Sequence, residues 1–600
     1  MQNYQSITLD VNNCVEYKYI NAKQGDIDSR FLRITLIENG EKIEPTNRCT
    51  ASFRCLKPDG RICMNKSTIN EDGTITAALT EQVLASAGTV RADVSLLDGS
   101  TVLSSATFFI IVEAAPVSEG SALSSDEFLI LVKATNDAIS AIHSIEDALG
   151  EVEEVKAFVG YNDSDILGLQ IDYENKKFNR LAGAVGLNAG DDFDKFDMYG
   201  GMKRCNVSDG GTITAYYGDS NFKEDGSNGQ VMVYVPKFYY KVVPIKLDKI
   251  NEGTGYHIRK ANYYISSAPK VGFKLHPAFV NEQGNEVEYF LYSAYEGSLY
   301  MSDAEEYYSD ADYQTHTVTS ADKLSSVAEK KPITGQATAN YGNGINLYRS
   351  TAETCAANRG KGWHIETIKS LSALQLLMTI EFGAMHMQEA LGRGICASGN
   401  DWSLNFCADT GATSSLGNKS GEAVSTVYRY HDKSTNTIIK EEKNAVNANA
   451  VSYRGIENPY GNVFNWIQGI NCHKTDLSNN GGLVYICNDF NFADDKSNDN
   501  YLPIGFTIIN SENLKGSISA FGYDEKYDWI FCATEVNGTT ALPVGDPAYR
   551  SNKLNDYAIM CSSGGWYSGN SAGPFNTTLN VYSTSTFCQT GCRLIYLPQN

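Results

Sequence analysis

Residues 561–596 read CSSGGWYSGNSAGPFNTTLNVYSTSTFCQTGCRLIY, and this stretch says more about the chain than any other. It opens with Gly-Gly-Trp, continues through residues dominated by Ser, Thr, Asn and Tyr, and closes on a strand-like Gly-Cys-Arg-Leu-Ile-Tyr run. Tyr and Trp supply large rigid contact areas, while Ser, Gly and Asn supply adaptable hydrogen bonds, a composition typical of binding loops. Because no other stretch has the pattern of a strong active site, the sequence indicates a binding protein.

Length and composition define the broad class. At 600 residues the chain exceeds the roughly 250–300 residues at which a single core stops growing, so several domains are expected. Its 36 Tyr, 24 Phe and 52 Gly, with few stretches of helical period, favour a β-rich, loop-rich protein. The net charge of −22 repels nucleic acid and anionic lipid, so neither is an expected partner.

The cysteines and the amino terminus indicate the compartment of folding. The 14 cysteines include no CxxC pair, and the single CxxxC of Cys588 and Cys592 is too little for a zinc site. The first residues, MQNYQSITLDV, lack the basic and apolar regions of a signal peptide. No apolar run approaches the about 20 residues that span a bilayer. We therefore expect a soluble protein with mostly free thiols, made in the cytoplasm.

Residues 1–115 alternate short apolar runs with turn signals. Asn39-Gly40, Asp59-Gly60 and Asp72-Gly73 are hairpin-type turn signals between runs of period two. Strands spaced in this way, without intervening helices, predict a β-sandwich. The segment KQGDIDSRFLRITLIENGEKI (23–43) and the strand run that ends in FFIIV (108–112) resemble the N-terminal domain of phage baseplate upper proteins. That resemblance implies a domain that attaches a receptor-binding device to the tail baseplate.

Residues 116–165 are predicted to form a linker and a helix. PVSEGSALSS (116–125) has linker composition, and Ser124 to Asp126 can cap a helix that runs to about Val159. Apolar positions then recur at spacings of three and four, as in a heptad seam, at Leu131, Thr135, Ala138, Ile142, Ile145, Leu149, Val152 and Val159. Its mixture of Ile, Leu and Val favours a trimeric coiled coil over a parallel dimer. The alternative is an amphipathic helix packed on its own chain.

Residues 166–230 are polar and rich in glycine, which predicts a connector with few strands. Its acidic residues Asp191, Asp192, Asp194 and Asp197 lack the spacing, Gly and distal Glu of an EF-hand, so a solvated acidic loop is expected. No cofactor is expected. A structural calcium ion is left open, at acidic loops such as the one from Asp494 to Asp499.

Residues 231–600 are predicted to form one C-terminal domain. VMVYVPKFYYKVV (231–243) alternates like a strand, while 352–359 and 368–382 have helical spacing. KVGFKLHPAFV (270–280) is a further strand candidate. After Gly394 the chain consists of short segments, many glycines and long polar loops.

Four pieces of this domain resemble, in order, the C-type-lectin-like fold shared by formylglycine-generating-enzyme-like proteins and phage variable tropism proteins. They are Val231–Phe238, Ala352–Phe382, the NPYGNVFNW segment Asn458–Trp466, and Ser563-Gly-Gly-Trp566 through Leu594. The resemblance implies an α+β, β-rich multidomain protein with an N-terminal β-sandwich, a helical oligomerisation segment and a C-terminal C-type-lectin-like domain.

Departures from the catalytic branches of that superfamily argue against an enzyme. Asn465 stands where an oxidase of the fold carries Glu, and Cys588 and Cys592 lack the context of its copper-binding cysteine pair. The eight histidines show no pair at metal-binding spacing, which the iron-dependent members need. His364, close to Glu366, is expected to be structural. We expect neither catalytic residues nor a metal site.

The closing segment, 562–596, resembles instead the variable segment of proteins diversified by retroelements. In such proteins adenine-rich codons place Asn, Ser, Tyr, Thr and Asp at the replaceable positions. The predicted ligand-binding positions are Trp566, Tyr567, Ser568, Asn570, Ser571, Asn576, Thr578, Asn580, Tyr582, Ser583 and Ser585. Tyr567, Tyr582 and Trp566 are the expected anchors, with Trp566 equally compatible with the core. The alternative is a solvated polar loop that binds nothing.

The resulting hypothesis is a phage or prophage tail protein, located in the virion baseplate after synthesis in the bacterial cytoplasm. Its expected partners are baseplate proteins, further copies of itself, and a host-surface protein or glycan. One alternative is a tail enzyme that degrades polysaccharide with carboxylates such as Asp524, Glu525 or Asp528. The other is a structural baseplate part whose C-terminal domain decorates the particle.

Overall fold

A computed structural model of the chain divides it into two compact units, Met1–Glu154 (the N-terminal unit) and Val155–Asn600 (the C-terminal unit). The residues that the structure describes are 2–12, 17–46, 48–98, 101–115, 152–251, 253–309, 312, 316–336, 344–398, 407–432, 434–435, 437–443, 449–474, 482–494, 500–508, 513–551 and 557–599. Each unit has its own hydrophobic core.

The N-terminal unit is built from strands. They are β1 (Asn3–Asp10), β2 (Tyr19–Lys23), β3 (Arg30–Glu38), β4 (Glu41–Lys42), β5 (Thr50–Leu56), β6 (Ile62–Ile69), β7 (Ile75–Ala78), β8 (Gly88–Asp98), β9 (Thr101–Ser104) and β10 (Phe108–Glu113). They pair in the order β1-β3-β7-β6-β5-β8-β10-β2, with β4 on β3 and β9 on β8. The β1–β3 and β10–β2 pairs are parallel.

The predicted hairpins of this unit are confirmed. Asn39 and Gly40 both have positive φ, at 52° and 89°, and join β3 to its antiparallel partner β4. Alternate residues of β3, such as Leu32 and Ile34, are buried against Phe53 of the facing strands. The N-terminal unit is thus β-rich, with sheets of the sandwich or barrel type.

The predicted coiled coil lies mostly outside the described residues. Residues 152–159 are helical (α1). The carbonyls of Ala157 and Phe158 accept hydrogen bonds from Asn262 Nδ2, at 3.3 and 3.1 Å. The end of α1 is therefore anchored to the C-terminal unit, of which it is the first element.

The C-terminal unit is also dominated by strands. They are β11 (Ile166–Asp172), β12 (Lys177–Ala182), β13 (Lys203–Val207), β14 (Ile213–Tyr216), β15 (Gln230–Pro236), β16 (Tyr239–Lys249), β17 (Tyr256–Ser266), β18 (Lys274–Leu275), β19 (Tyr289–Ser293), β20 (Ser298–Met301), β21 (Glu306–Tyr307), β22 (Lys323–Ser325), β23 (Trp363–Ile365), β24 (Gly421–Glu422), β25 (Thr426–Asp432), β26 (Thr437–Lys443), β27 (Val451–Tyr453), β28 (Ile456–Glu457), β29 (Phe464–Lys474), β30 (Gly482–Cys487), β31 (Tyr501–Ile508), β32 (Asn513–Ser517), β33 (Ala520–Tyr523), β34 (Ala533–Glu535), β35 (Pro547–Ser551), β36 (Tyr557–Ser563), β37 (Gly573–Val581), β38 (Thr590–Gly591) and β39 (Leu594–Tyr596). Its α-helices after α1 are α2 (Asp197–Gly200), α3 (Arg349–Ala357), α4 (Ile368–Phe382) and α5 (Met387–Ala390).

Three larger sheets organise this unit. Their orders are β12-β11-β17-β16-β18, β14-β13-β15-β19-β39-β23, and β31-β30-β29-β36-β37-β35-β32. In the third sheet β38 also pairs with β29, in parallel. This third sheet carries most of the segment 561–596.

Helix α4 confirms the sequence prediction at both ends. It is apolar on nearly every face, which is typical of a helix buried on all sides, and it is buried throughout except at Phe382. Thr367 and Ser370 form a capping box at its start, and Gly383 ends it in the left-handed conformation. The neighbouring predicted helix, 352–359, is observed as α3.

Two sequence predictions about this unit are wrong. Residues 166–230 are not a connector, because β11 pairs with β17 and β13 pairs with β15 inside two of the large sheets. The dense Asp and Gly turns of this region separate short, buried strands. The expected strand at 270–280 is reduced to the two residues of β18 and a 3-10 turn, Pro277–Phe279, since prolines and a turn interrupt it.

Candidate binding pocket

The candidate site lies on the third large sheet, where β29, β36, β37 and β35 are neighbours. The chain leaves β36 at Ser563, forms a loop over residues 564–572 (the tip loop), and returns as β37. Residues 582–589 then lead back to β38 beside β29. These elements surround one cavity of about 480 Å³.

The tip loop is fixed to the body of the unit by main-chain groups. The Trp566 amide donates to the Asn462 carbonyl at 2.9 Å, and the Gly569 amide donates to the Cys396 carbonyl at 2.7 Å. Gln388 Nε2 donates to the carbonyl of Gly569 at 2.8 Å. Because these bonds use backbone atoms of the loop, its shape does not depend on most of its side chains.

Aromatic rings form the apolar part of the cavity. They belong to Phe464 of β29, Tyr549 of β35, Tyr567 of the tip loop, and Phe587. The rings of Phe464 and Tyr567 are tilted by 46° with centroids 6.4 Å apart. The rings come from four different segments, so the sheet order assembles them.

Hydroxyl and amide groups form the polar part of the cavity. Their residues are Ser568, Ser571, Asn576, Thr578, Gln589 and Thr590, and Cys561 and Val581 complete the lining. Asn576 and Thr578 lie two residues apart on β37, which places them on the same face of the strand. No Asp, Glu, Lys, Arg or His side chain lines this cavity among the described residues.

The titratable groups of the cavity stay neutral at physiological pH. Burial raises the pKa of Tyr567 to about 12, and the thiols of Cys561 and Cys588 beside it contribute to that rise. Burial also raises the pKa of the Cys561 thiol to about 12. The cavity is therefore uncharged, although the chain as a whole carries a net charge of −22.

A buried carboxyl supports β37 from behind. Asp546 is fully buried and accepts a hydrogen bond from the Phe575 amide at 2.8 Å. Burial raises the pKa of this carboxyl well above its ordinary value, so it is held protonated. A Cβ at position 573 would lie 2.0 Å from Asp546 Oδ1, which is why glycine occupies the first position of β37.

The structure brings five of the predicted ligand-binding residues together. Tyr567, Ser568, Ser571, Asn576 and Thr578 all line the cavity.

Three other predicted residues lie outside the cavity lining and are exposed or partly exposed to solvent. Asn570 is exposed and accepts a hydrogen bond from Arg393 Nη2 at 3.0 Å. Ser583 and Ser585 are partly exposed, in the turn that follows β37.

The remaining three predicted positions fare differently. Tyr582 is 45% exposed beyond the end of β37. Asn580 lies on β37, and its side chain is outside the described part of the structure. Trp566, expected as an anchor or as core, is 0% exposed and packs against Ile395, Val463 and Cys588. Trp566 is therefore a core residue and cannot touch a ligand.

Asn576 also needs correction as an exposed, replaceable position. It is 1% exposed, and its Nδ2 donates to the Ser571 carbonyl at 2.6 Å. Asn576 thus supports the tip loop from β37 while forming part of the cavity wall.

Sequence reasoning missed several lining residues. Phe464 lies inside the NPYGNVFNW segment and Gln589 lies between Cys588 and Cys592, so both were within quoted motifs without being singled out. Tyr549 lies in a segment with no motif, and only the parallel pairing of β35 with β37 brings it to the site. No local sequence signal could have identified it.

His364 has the structural role expected of it, with partners other than Glu366. Its Nδ1 lies 2.6 Å from Glu353 Oε1, and its Nε2 lies 2.8 Å from Glu282 Oε1. Glu366 instead accepts a hydrogen bond from the Tyr292 hydroxyl at 2.7 Å.

The carboxylates considered for an enzyme are held in hydrogen bonds within the unit. Asp528 accepts from the Tyr240 hydroxyl at 2.6 Å and from Lys274 Nζ at 2.9 Å. Asp524 accepts from the Gly505 amide at 2.5 Å. They do not line the cavity.

The acidic loops are occupied by protein partners where the structure describes them. Asp194 pairs with Arg454 at 2.7 Å, and Asp494 pairs with Arg349 at 3.0 Å. Within the described residues, no three His, Cys, Asp or Glu side chains converge on a point that could hold a metal ion. The thirteen described cysteines are free thiols, and all except Cys49 are buried. No described helix has the length and apolar character needed to cross a bilayer.

Comparison with known proteins identifies the start of the chain. Residues 3–138 match the family model of the BppU N-terminal domain. This confirms the domain expected from residues 23–43 and 108–112. No curated protein matches the chain.

Solved structures similar to the chain fall into two groups. The N-terminal domain of phage TP901-1 ORF48 aligns at 20% identity over 18% of this chain and 98% of that one, with a TM-score of 0.16. The Major Tropism Determinant P3c variant aligns at 12% identity over 68% of this chain and 73% of that one, with a TM-score of 0.20. The U1 variant aligns at 13% identity over the same shares, with a TM-score of 0.21. Both resemblances recognised in the sequence recur here. At such TM-scores the overlays carry no inference about the C-terminal unit, which rests on its own geometry.

Proposed function

We propose that the chain, which begins with a BppU N-terminal domain, is a phage tail protein that adsorbs to a ligand on the surface of a host cell. The N-terminal unit attaches it to the baseplate, and the cavity of the C-terminal unit binds the ligand. One observation carries the proposal: five positions expected from the sequence to contact a ligand meet in one cavity, under a loop fixed through its main chain.

The construction of the tip loop supports diversification of the site. Side chains at Tyr567, Ser568 and Ser571 can change without breaking the bonds from Trp566 and Gly569 to the body of the unit. The buried Trp566 and Asn576 serve as the constant part. Sequences of the same gene from sibling phages are expected to differ at the first three positions and to agree at the last two.

The exposed end of α1 supports oligomerisation through residues 116–165. Val152, Val155 and Val159 recur at spacings of three and four and are all more than one third exposed. A stripe of exposed valines on one helix face is costly in water and is covered when identical helices associate. We propose a homotrimer, for which light scattering of the purified full chain gives the mass directly. Simultaneous engagement of three sites can raise the avidity by about 10²–10⁴.

We propose further that the C-terminal unit has the C-type-lectin-like fold and no catalytic activity. The NPYGNVFNW segment supports this fold, since Asn462 accepts the Trp566 amide and thereby joins this motif to the closing segment. The hydrogen-bonded state of Asp524 and Asp528 supports the absence of glycosidase chemistry. Steady release of reducing sugar from host polysaccharide by the purified protein would contradict it.

Adsorption of the labelled full chain to a panel of bacterial strains tests the proposal. Tyr549→Ala removes one wall of the cavity, and Ser571→Tyr fills it; both are expected to reduce binding to a responsive strain by at least about tenfold. Tyr256→Ala removes a tyrosine that is 47% exposed on β17, outside the cavity, and should bind like the parent chain. Equal adsorption by all four proteins would reject the cavity as the receptor site.

A further inference from the structure

The cavity combines three properties that restrict its ligand: it is uncharged, it has several aromatic walls, and it is dense in hydroxyl and amide groups. We infer that it binds an uncharged glycosyl unit of a cell-surface polysaccharide. This inference rests on the proposed function and adds the chemical class of the ligand.

The absence of charge excludes acidic and basic ligands first. A phosphate, a uronic acid or a sialic acid entering the cavity would lose its hydration and find no cation, because no Lys, Arg or His lines the described cavity. An amino sugar with a free ammonium group would likewise find no carboxylate. The strongly negative chain adds long-range repulsion for any anion. A neutral ligand avoids both costs.

The aromatic walls suit one face of a sugar ring. A pyranose presents a patch of C–H groups on one face and hydroxyl groups around its edge. The rings of Phe464, Tyr549 and Tyr567 offer apolar surfaces on which such a patch can pack. A cavity of about 480 Å³ has room for one or two sugar units and lies within the roughly 300–1,000 Å³ usual for small-ligand sites.

The polar groups distinguish a sugar from an apolar side chain of a protein receptor. A Leu or Phe inserted into the cavity would displace water from groups such as Ser571, Thr578 and Gln589 without replacing its hydrogen bonds. Leaving such groups unsatisfied costs roughly 1–3 kcal/mol each. Sugar hydroxyls both donate and accept, so they can replace that water. The observations therefore favour a glycan over a protein ligand.

The test uses the full chain and cells of a strain to which it adsorbs. Periodate, which cleaves the vicinal diols of sugars, is expected to abolish adsorption, while protease treatment of the cells is expected to leave it unchanged. Neutral polysaccharide extracted from these cells should compete for binding, and the anionic polysaccharide fraction should not. Its affinity should change less than about twofold between roughly 0.05 and 0.5 M NaCl, because no ion pair forms.

Variants separate this inference from the proposed function. Tyr549→Ala should weaken binding of the neutral polysaccharide at least about tenfold, with Tyr256→Ala unchanged. If protease abolishes adsorption and periodate does not, the ligand is a protein: the glycan inference falls while receptor binding stands. Competition by the anionic fraction alone would also overturn it. If Tyr549→Ala adsorbs normally, the cavity is not the receptor site and both proposals fail.

Discussion

Trp566 is the residue whose type misleads most, because a tryptophan in a binding-loop composition suggests a contact anchor. It is completely buried among Ile395, Val463 and Cys588, and its indole N–H has no hydrogen-bond partner among the described residues. We expect Trp566→Ala to lower the free energy of unfolding by about 3–5 kcal/mol, as for other large buried aromatics. Denaturant unfolding measures this.

Two companion variants complete that experiment. Trp566→Phe keeps most of the packing and loses an N–H that bonds to nothing described, so it should cost less than the alanine change. Tyr582→Ala, at an exposed tyrosine of the same segment, should change stability by no more than about 0.5 kcal/mol. If Trp566→Ala kept parental stability yet lost adsorption, Trp566 would be an anchor after all.

His364 gives the C-terminal unit a defined pH dependence. Burial alone would lower its pKa, but the carboxylates of Glu353 and Glu282 on its two nitrogens outweigh burial and raise the pKa to about 9. A histidine whose folded-state pKa lies above the unfolded value of about 6.5 stabilises the fold fully below that value and loses this contribution as pH rises through 9. The loss amounts to at most about 3 kcal/mol.

The unfolding free energy of the chain should therefore fall between about pH 6.5 and 9 by more than that of His364→Asn, which cannot titrate. The matched control is His257→Asn, since burial lowers the pKa of His257 and its titration lies below this window. A parallel pH dependence in the parent chain and His364→Asn would show that the two carboxylates do not hold the charged imidazole.

The start of β37 depends on an exchange between a missing side chain and a buried one. Gly573 leaves room for the Asp546 carboxyl, which in turn binds the Phe575 amide. Gly573→Ala places a methyl group 2.0 Å from Asp546 Oδ1 and should destabilise the unit by about 1–3 kcal/mol. The shift of β37 should also weaken adsorption, because Asn576 supports the tip loop.

Gly210→Ala is the control for that change. A Cβ there meets only Ser208 Oγ, at 3.8 Å, on an exposed turn. It should therefore leave both stability and adsorption unchanged. Normal adsorption and stability of Gly573→Ala would mean that β37 tolerates displacement of Asp546.

Elements whose signals are local could be predicted from the sequence, and those that depend on distant partners could not. Helix α4 has a continuous apolar run, a Thr367 cap and a closing Gly383, so its ends follow from neighbouring residues. Strands β11 and β13 lie among Asp- and Gly-rich turns, and only their pairing with β17 and β15 distinguishes them from loops.

The candidate site divides in the same way. Its tip-loop residues, such as Tyr567 and Ser571, lie within the segment that the composition singled out. Tyr549 joins them only because β35 pairs in parallel with β37, a contact between distant parts of the chain. Composition also could not reveal which aromatic side chain points inward, so Trp566 and Tyr567, adjacent in sequence, were both expected to bind.

The two units have separate cores, and this separation predicts how the chain unfolds. The N-terminal core uses side chains between Ile7 and Val112, and the C-terminal cores use side chains from Ala157 onward, with no buried cluster shared among the described residues. Since the cavity is formed by residues 464–590, it belongs wholly to the C-terminal unit. A fragment 155–600 should therefore fold alone, with the melting temperature of one of the two calorimetric transitions of the full chain.

That fragment also separates the site from the oligomer. It lacks residues 116–151, so it should be monomeric and bind the neutral polysaccharide with the intrinsic affinity of one cavity. The full chain should adsorb to cells more tightly, while Tyr549→Ala should weaken fragment and full chain by the same factor per site. If the fragment is monomeric but adsorbs as tightly as the full chain, one cavity is sufficient, and the exposed valines of α1 have another partner.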